Sequence, residues 1–324
     1  MLRYRRSAIS ATLAITLLVL SACSPQVNHP GKQAREPGIE NGCFVAGDGA
    51  RLPLRAWLPG DRPVKAALVA LHGFNDYSNF FTSPANYLSR RDIACYAYDQ
   101  RGFGGAPGRG LWSGIEAYTD DLSSFTREIR KRHPDVPLYV LGESMGGAVT
   151  IVTMTGSNPP HVDGVILVAP AVWGRETMPW YQSLLLAVTS HTLPWLQLTG
   201  KGAHRSPSDN TELLRSLGRD PLIIKGTRID AVYGLTNLMD EALSRAEKLN
   251  IPTLVQYGEN DQIIPKKPMF LMLDKMPKTT RKAFYDHGYH MLLRDLQGEK
   301  PLADIAAWID DHNKPLPYGS SSSK

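Results

Sequence analysis

Cysteine is scarce: the 324 residues hold three, Cys23, Cys43 and Cys95. That excludes the disulfide framework on which small secreted domains rely. Cys43 and Cys95 fall in apolar, strand-like segments and read as buried thiols. Long hydrophobic runs are missing as well. The most apolar stretch, Ala8 to Leu20, falls short of the ~20 residues that a spanning helix needs. Nor is one sign of charge in marked excess. The formal charge is +5, and three of the arginines, Arg3, Arg5 and Arg6, crowd the N-terminus. The rest is close to neutral, so nothing argues for nucleic acid as a partner. The remaining basic run, Arg127 and Arg130-Lys131-Arg132-His133, stands where a helix should end and where cations favour the helix dipole. Contact with anionic headgroups is its second reading. There are no internal repeats.

What is present begins with a leader. Three arginines followed by Ala8 to Leu20 read as a signal peptide over residues 1–22. It closes in Leu20-Ser21-Ala22-Cys23, which resembles the bacterial lipobox, so Cys23 is expected to carry acyl chains and anchor the chain in a membrane. Cleavage by the ordinary signal peptidase, with Cys23 a bystander, is the alternative. Ser24 after the cysteine favours the outer membrane of a Gram-negative envelope over the inner one. Residues 23–40, rich in proline and glycine and without apolar periodicity, read as a tether.

Strands and helices then alternate. A hairpin is expected around Gly47-Asp48-Gly49, with strands at Ala66 to Leu71, Ile93 to Tyr98, Pro137 to Leu141 and Gly164 to Ala169. Continuous apolar runs of this kind suit a parallel sheet covered on both faces. Ser113 and Glu116 read as a capping box opening a helix whose Ile115, Tyr118, Leu122, Phe125 and Ile129 share one face. The alternation stops over residues 172–250 and resumes with a strand at Pro252 to Tyr257, a helix near Lys267 to Lys275, a strand at Thr280 to Tyr285 and a last helix with Leu302, Ile305, Ala306 and Ile309 on one side. One α/β domain over 41–312 with one long insertion follows, and 313–324 reads as a flexible tail.

Gly142-Glu143-Ser144-Met145-Gly146-Gly147 stands between an expected strand and helix, the setting that gives Gly-x-Ser-x-Gly its meaning as a nucleophile turn. A serine hydroxyl needs a histidine to take its proton and a carboxylate to orient that histidine. Asp261, just past a strand end, is the expected acid, with Glu259 as its rival. In Asp286-His287-Gly288-Tyr289-His290, His290 is the expected base and His287 its rival. A metal reading of this pair lacks further ligands at zinc-like spacing, and no cofactor is implied. Leu71-His72-Gly73-Phe74 resembles an oxyanion loop, with the amides of Phe74 and Met145 as donors and His72 shaping the loop. Asp99-Gln100-Arg101-Gly102-Phe103-Gly104 reads as structural, its charges pairing with each other.

Together these motifs resemble the monoacylglycerol lipase and lysophospholipase branch of the α/β-hydrolases, of serine aminopeptidase S33 type. The resemblance covers residues 42–312. It implies an α/β-hydrolase fold, a mostly parallel eight-stranded sheet with helices on both faces and a helical cap insertion. It also implies Ser144 as nucleophile, Asp261 as acid and His290 as base. Phe74-Asn75-Asp76 departs from the Gly-Glu sequence usual in the monoacylglycerol enzymes' loop. The insertion carries Trp173, Trp180, Tyr181, Leu184, Leu185, Val188 and Trp195. This stripe either packs the cap onto the core or serves an acyl chain or membrane. The expectation is a serine ester hydrolase of single-chain lipids. A short-chain esterase or acyltransferase is the enzyme alternative, and a non-catalytic surface lipoprotein the alternative from another class. Oligomeric state is not legible.

Overall fold

The computed structural model describes residues 24–200 and 205–322. The expected signal peptide and Cys23 lie outside the described residues. The chain opens with β1 (Gly38–Glu40), β2 (Cys43–Val45) and β3 (Arg51–Trp57), then β4 (Ala66–Leu71), α1 (Thr82–Ser89) and β5 (Ile93–Tyr98). Next come α2 (Ile115–Arg132), β6 (Leu138–Glu143), α3 (Met145–Met154) and β7 (Gly164–Val168). The insertion contributes α4 (Trp180–Thr192), β8 (Gln197–Thr199), α5 (Thr211–Arg219), β9 (Gly226–Arg228) and α6 (Ile229–Arg245). The chain closes with β10 (Thr253–Gly258), α7 (Lys266–Lys275), β11 (Arg281–Tyr285) and α8 (Glu299–Asp310).

The main sheet runs β1-β2-β3-β5-β4-β6-β7-β10-β11. From β5 to β11 every pairing is parallel, whereas β1, β2 and β3 join antiparallel. Alternate residues of β4 explain its place at the centre. Ala67, Val69 and Leu71 pack with Leu122, Phe125 and Val149 on one face, and Ala66, Leu68 and Ala70 pack with Leu88, Ile305 and Trp308 on the other. A strand with no polar face is stable only between two helical layers, where each large side chain contributes roughly 1.5–3 kcal/mol by leaving water. Cys43 and Cys95 are free thiols in β2 and β5.

Four local expectations are corrected. The sheet has nine strands rather than eight, because β1 comes from the segment read as a tether. That segment is docked: Val27 bridges Trp112, and the amides of Ala34 and Arg35 donate to Gly47 O at 2.8 and 3.1 Å. Backbone hydrogen bonds of this sort need no apolar pattern, so composition did not reveal them. The tail is likewise tied down, its Tyr318 and Gly319 amides donating to Asp304 at 2.9 and 2.7 Å. Ser113 and Glu116 do not form a capping box. Gly114, at φ 92°, is the N-cap of α2, which puts Glu116 too early in the helix for the reciprocal bond. Finally, Arg101 pairs with Asp48 and Asp121 at 2.7 and 2.6 Å rather than with Asp99. Asp99 instead accepts from the amides of Ser78 and Gly105 at 3.0 and 2.8 Å.

The insertion divides in two. Its last helix, α6, buries Leu238, Met239, Ala242 and Leu243 in the domain core. The part before it forms the cap, which includes the small β8–β9 sheet as well as helices. No described helix is long and apolar enough to cross a membrane.

Candidate active site

Ser144 stands between the last residue of β6 and the first of α3, at φ 50°. A left-handed backbone at a non-glycine residue is strained, and here it is locked from both sides. The Ser144 amide donates to Val168 O at 3.0 Å, and its carbonyl accepts from Ala171 N at 2.9 Å. Gly146 makes the close approach possible, since a Cβ there would lie 2.3 Å from the Leu71 carbonyl oxygen. The turn projects the hydroxyl toward the loops that follow β10 and β11.

Those loops deliver the partners. His290 Nε2 lies 3.0 Å from Ser144 Oγ, and His290 Nδ1 lies 2.8 Å from Asp261 Oδ2. Asp261 is aimed by its other oxygen, which accepts from the amides of Ile263 and Ile264 at 2.7 and 2.9 Å. All three side chains are buried. The rivals are elsewhere: His287 is exposed, and Glu259 pairs with Lys266. Burial by itself would lower the His290 pKa, but Asp261, by charge and hydrogen bond, together with Glu143 and Asp295, outweighs it and holds the pKa above the usual value.

The loop after β4 lies against this line. His72 is buried and neutral in character, its pKa lowered by burial. Its Nε2 accepts from Gln100 N at 3.0 Å, which leaves Nδ1 to donate to Gly73 O at 2.8 Å. That tautomer shapes the loop. Phe74 packs edge-on against Phe103, ring centres 5.4 Å apart. Met145, the first residue of α3, has an amide with no intrahelical acceptor. With the Phe74 amide it forms a candidate donor pair beside Ser144.

Sequence reasoning missed two elements. Glu143, inside the serine motif itself, is buried, and its Oε1 lies 3.8 Å from His290 Nε2. Burial pushes its pKa up to about 7. A charged residue at a position that the strand must bury was the available signal. Asp76 and Arg294 pair at 3.2 Å, 218 residues apart, and Arg294 lies over the Phe80 ring. They tie the oxyanion loop to the histidine loop, and no local pattern could reveal so distant a pair.

The cap crosses over these loops. Ser206 N donates to Gln262 Oε1 at 2.9 Å, Met291 N to Pro207 O at 2.8 Å, and Ser208 Oγ to Asp295 at 2.6 Å. Trp173 packs against the core, with the Arg205 guanidinium 5.6 Å from its ring centre. The other large apolar residues of the stripe do not pack the cap down. Trp180, Tyr181, Leu184 and Trp195 are 76, 56, 56 and 53 % exposed. The reason is that α4 turns its other side inward, Gln182, Ser183, Leu186, Ala187 and Thr189 being half-buried and Ser190 buried.

Residues 62–297 match the family described as serine aminopeptidase, S33. Rat monoglyceride lipase is 27% identical over 272 residues, spanning 82% of this chain and 89% of the relative. The monoacylglycerol lipase of Mycolicibacterium smegmatis is 25% identical over 291 residues, spanning 83% of this chain and 96% of the relative. The crystal structure of Paleococcus ferrophilus monoacylglycerol lipase matches with a TM-score of 0.68 at 22% identity, covering 81% of this chain and 99% of that one. That last likeness speaks for the fold. With its parallel sheet, serine turn and match over most of the domain, the chain belongs to the serine aminopeptidase, S33, family and is a hydrolase of α/β-hydrolase fold.

Proposed function

We propose that the chain hydrolyses esters of single-chain lipids, monoacylglycerol or lysophospholipid, through an acyl-enzyme on Ser144. The observation that carries this reading is the unbroken line from Ser144 Oγ through His290 to Asp261, at 3.0 and 2.8 Å. His290 Nε2 takes the hydroxyl proton as Oγ attacks the ester carbonyl, and Asp261 stabilises the imidazolium. Charge on the carbonyl oxygen falls to the amides of Phe74 and Met145, each such donor being worth ~3 kcal/mol in the transition state. His290 then protonates the departing alcohol. Water, deprotonated by the same nitrogen, attacks the acyl-enzyme and releases the fatty acid. The lipid substrate draws support from the names of the relatives above and from an apolar cap. We further propose that Cys23 is acylated and holds the enzyme in a bacterial envelope, at the outer membrane.

Labelling by a fluorophosphonate probe tests the nucleophile: the folded protein should react and Ser144→Ala should not. A series of p-nitrophenyl esters tests the substrate class. Dodecanoyl ester should be cleaved faster than acetyl ester, and a steep preference for acetyl would overturn the lipid reading. Cys23→Ser should release the protein from membranes.

A further inference from the structure

We infer that Asn75 is a positioning residue of the oxyanion hole: its side chain ties the loop that carries the Phe74 amide to the small sheet of the cap, so that this donor is aimed only while β9 is seated. This rests on the reading of the Phe74 amide as an oxyanion donor. The first observation is a strained backbone. Asn75, directly after Phe74, sits at φ 67°, in the left-handed region that glycine enters freely and asparagine only at a cost. The residue is half-buried, and glycine would serve better there if the path of the chain were all that mattered.

The second observation is what holds it. Asn75 Nδ2 donates to Thr227 Oγ1 at 2.7 Å, and the Asn75 carbonyl accepts from Ile224 N at 3.1 Å. One side-chain bond and one main-chain bond thus reach the same stretch of cap, 152 residues away at Thr227. Tyr77 adds a third tie, its hydroxyl donating to Asp220 Oδ2 at 2.8 Å. Thr227 is the central residue of β9 and stands opposite Leu198 of β8. That strand is fixed in its own right. Arg228 donates to Asp230 at 3.0 Å and to Gln26 Oε1 at 3.2 Å, and Ile229 N donates to Leu196 O at 2.9 Å.

The position of the bond gives it its consequence. The Phe74 N–H belongs to the peptide just before the residue that precedes Asn75, and on its other side that peptide has no room to give. Gly73 is pressed against the serine motif, where a Cβ would lie 2.3 Å from Glu143 Oε2 and 3.1 Å from Ser144 Cβ. Phe74 is braced by Phe103, and Asp76 by Arg294. The loop is therefore fixed inward by the domain and outward by the cap, and Asn75 is the outward tie adjacent to the donor in the chain. Without the Thr227 bond the strained φ loses its side-chain support, and the loop relaxes by turning the peptide that the oxyanion needs. Misaiming of that kind weakens transition-state binding and leaves ground-state binding of the ester alone.

The test compares Asn75→Gly, which permits the same φ and removes the side chain, with Thr227→Val, which removes the acceptor oxygen from the other end of the bond. Each should lower kcat on a p-nitrophenyl ester roughly ten- to a hundredfold with KM within about twofold. The double variant should stay within about twofold of the slower single, because both changes break one bond. Thr227→Ser, which keeps the oxygen, should retain most of the parent rate. Losses that multiply in the double variant, or that fall on KM alone, would overturn the coupling. An alkyl trifluoromethyl ketone isolates the hole: Ser144 Oγ adds to its carbonyl carbon, His290 takes the hydroxyl proton, and the oxyanion lies where the amides point. Its affinity should fall in both variants by about the same factor as kcat/KM. Unchanged affinity beside a lowered kcat would overturn the role of Asn75. A parent enzyme that binds this ketone no more tightly than the matching methyl ketone would instead overturn the reading of the oxyanion hole on which the role rests.

Discussion

Glu143 Oε1 lies 3.8 Å from His290 Nε2, the same nitrogen that faces Ser144 Oγ at 3.0 Å. Two carboxylates thus face one imidazole, Asp261 at Nδ1 and Glu143 at Nε2. The ionised Glu143 favours a proton on His290, and Asp76, Arg294, Asp261 and His290 are the charged groups that act on Glu143 in turn. Glu143→Gln removes that support, so the acid limb of kcat/KM against pH should move to lower pH. At alkaline pH, where His290 is neutral in both proteins, kcat/KM should stay within roughly tenfold. A pH profile on a p-nitrophenyl ester measures both, and an acid limb that does not move would refute the electrostatic role.

The same residue sets a stability profile. Its carboxyl titrates at about 7 in the folded protein against 4.5 when exposed, so the native state holds a proton that the unfolded chain has lost. Stability therefore falls as pH rises through that window. Glu143→Gln should be more stable than the parent at pH 8, by up to about 3 kcal/mol, and little changed near pH 4. Urea unfolding at the two pH values distinguishes this from a packing effect, which would be the same at both.

His290→Ala should lower kcat by about 10⁴-fold or more, and Asp261→Asn by about 10⁴-fold, because the imidazole then loses its tautomer. His287→Ala, on an exposed side chain, should leave kcat near the parent value. Steady-state kinetics with an ester decides, and a His287→Ala enzyme as inactive as His290→Ala would reverse the assignment.

Removing Arg294 leaves Asp76 buried without its partner at 3.2 Å. Arg294→Ala should cost about 3 kcal/mol, the usual consequence of stranding one member of a buried pair. Arg294→Met combined with Asp76→Asn should recover part of that. Chemical denaturation of the single and double variants gives the comparison, and a double variant less stable than Arg294→Ala would contradict it.

Much of this molecule is local and could be read along the chain. The runs Ala66–Leu71 and Ile93–Tyr98 become strands over those same residues, because no polar face exists to place at a surface. The serine turn was legible too, since its glycines and its strand and helix neighbours are consecutive. What the chain order could not supply is whatever joins distant segments through groups without a pattern. The choice of His290 over His287, three residues apart, depends on which ring the loop after β11 turns inward. Glu143 reaches His290, and Arg294 reaches Asp76, only once β6, the oxyanion loop and the histidine loop converge. The proline-rich segment before β1 is held by backbone amides and one glutamine, which any composition could provide. The aromatic stripe shows the same division. Helical spacing put Tyr181, Leu184, Leu185 and Val188 on one face of α4, but which face met the core depended on how α4 packs against α6. Periodicity determines that a side exists, and tertiary contact decides which way it points.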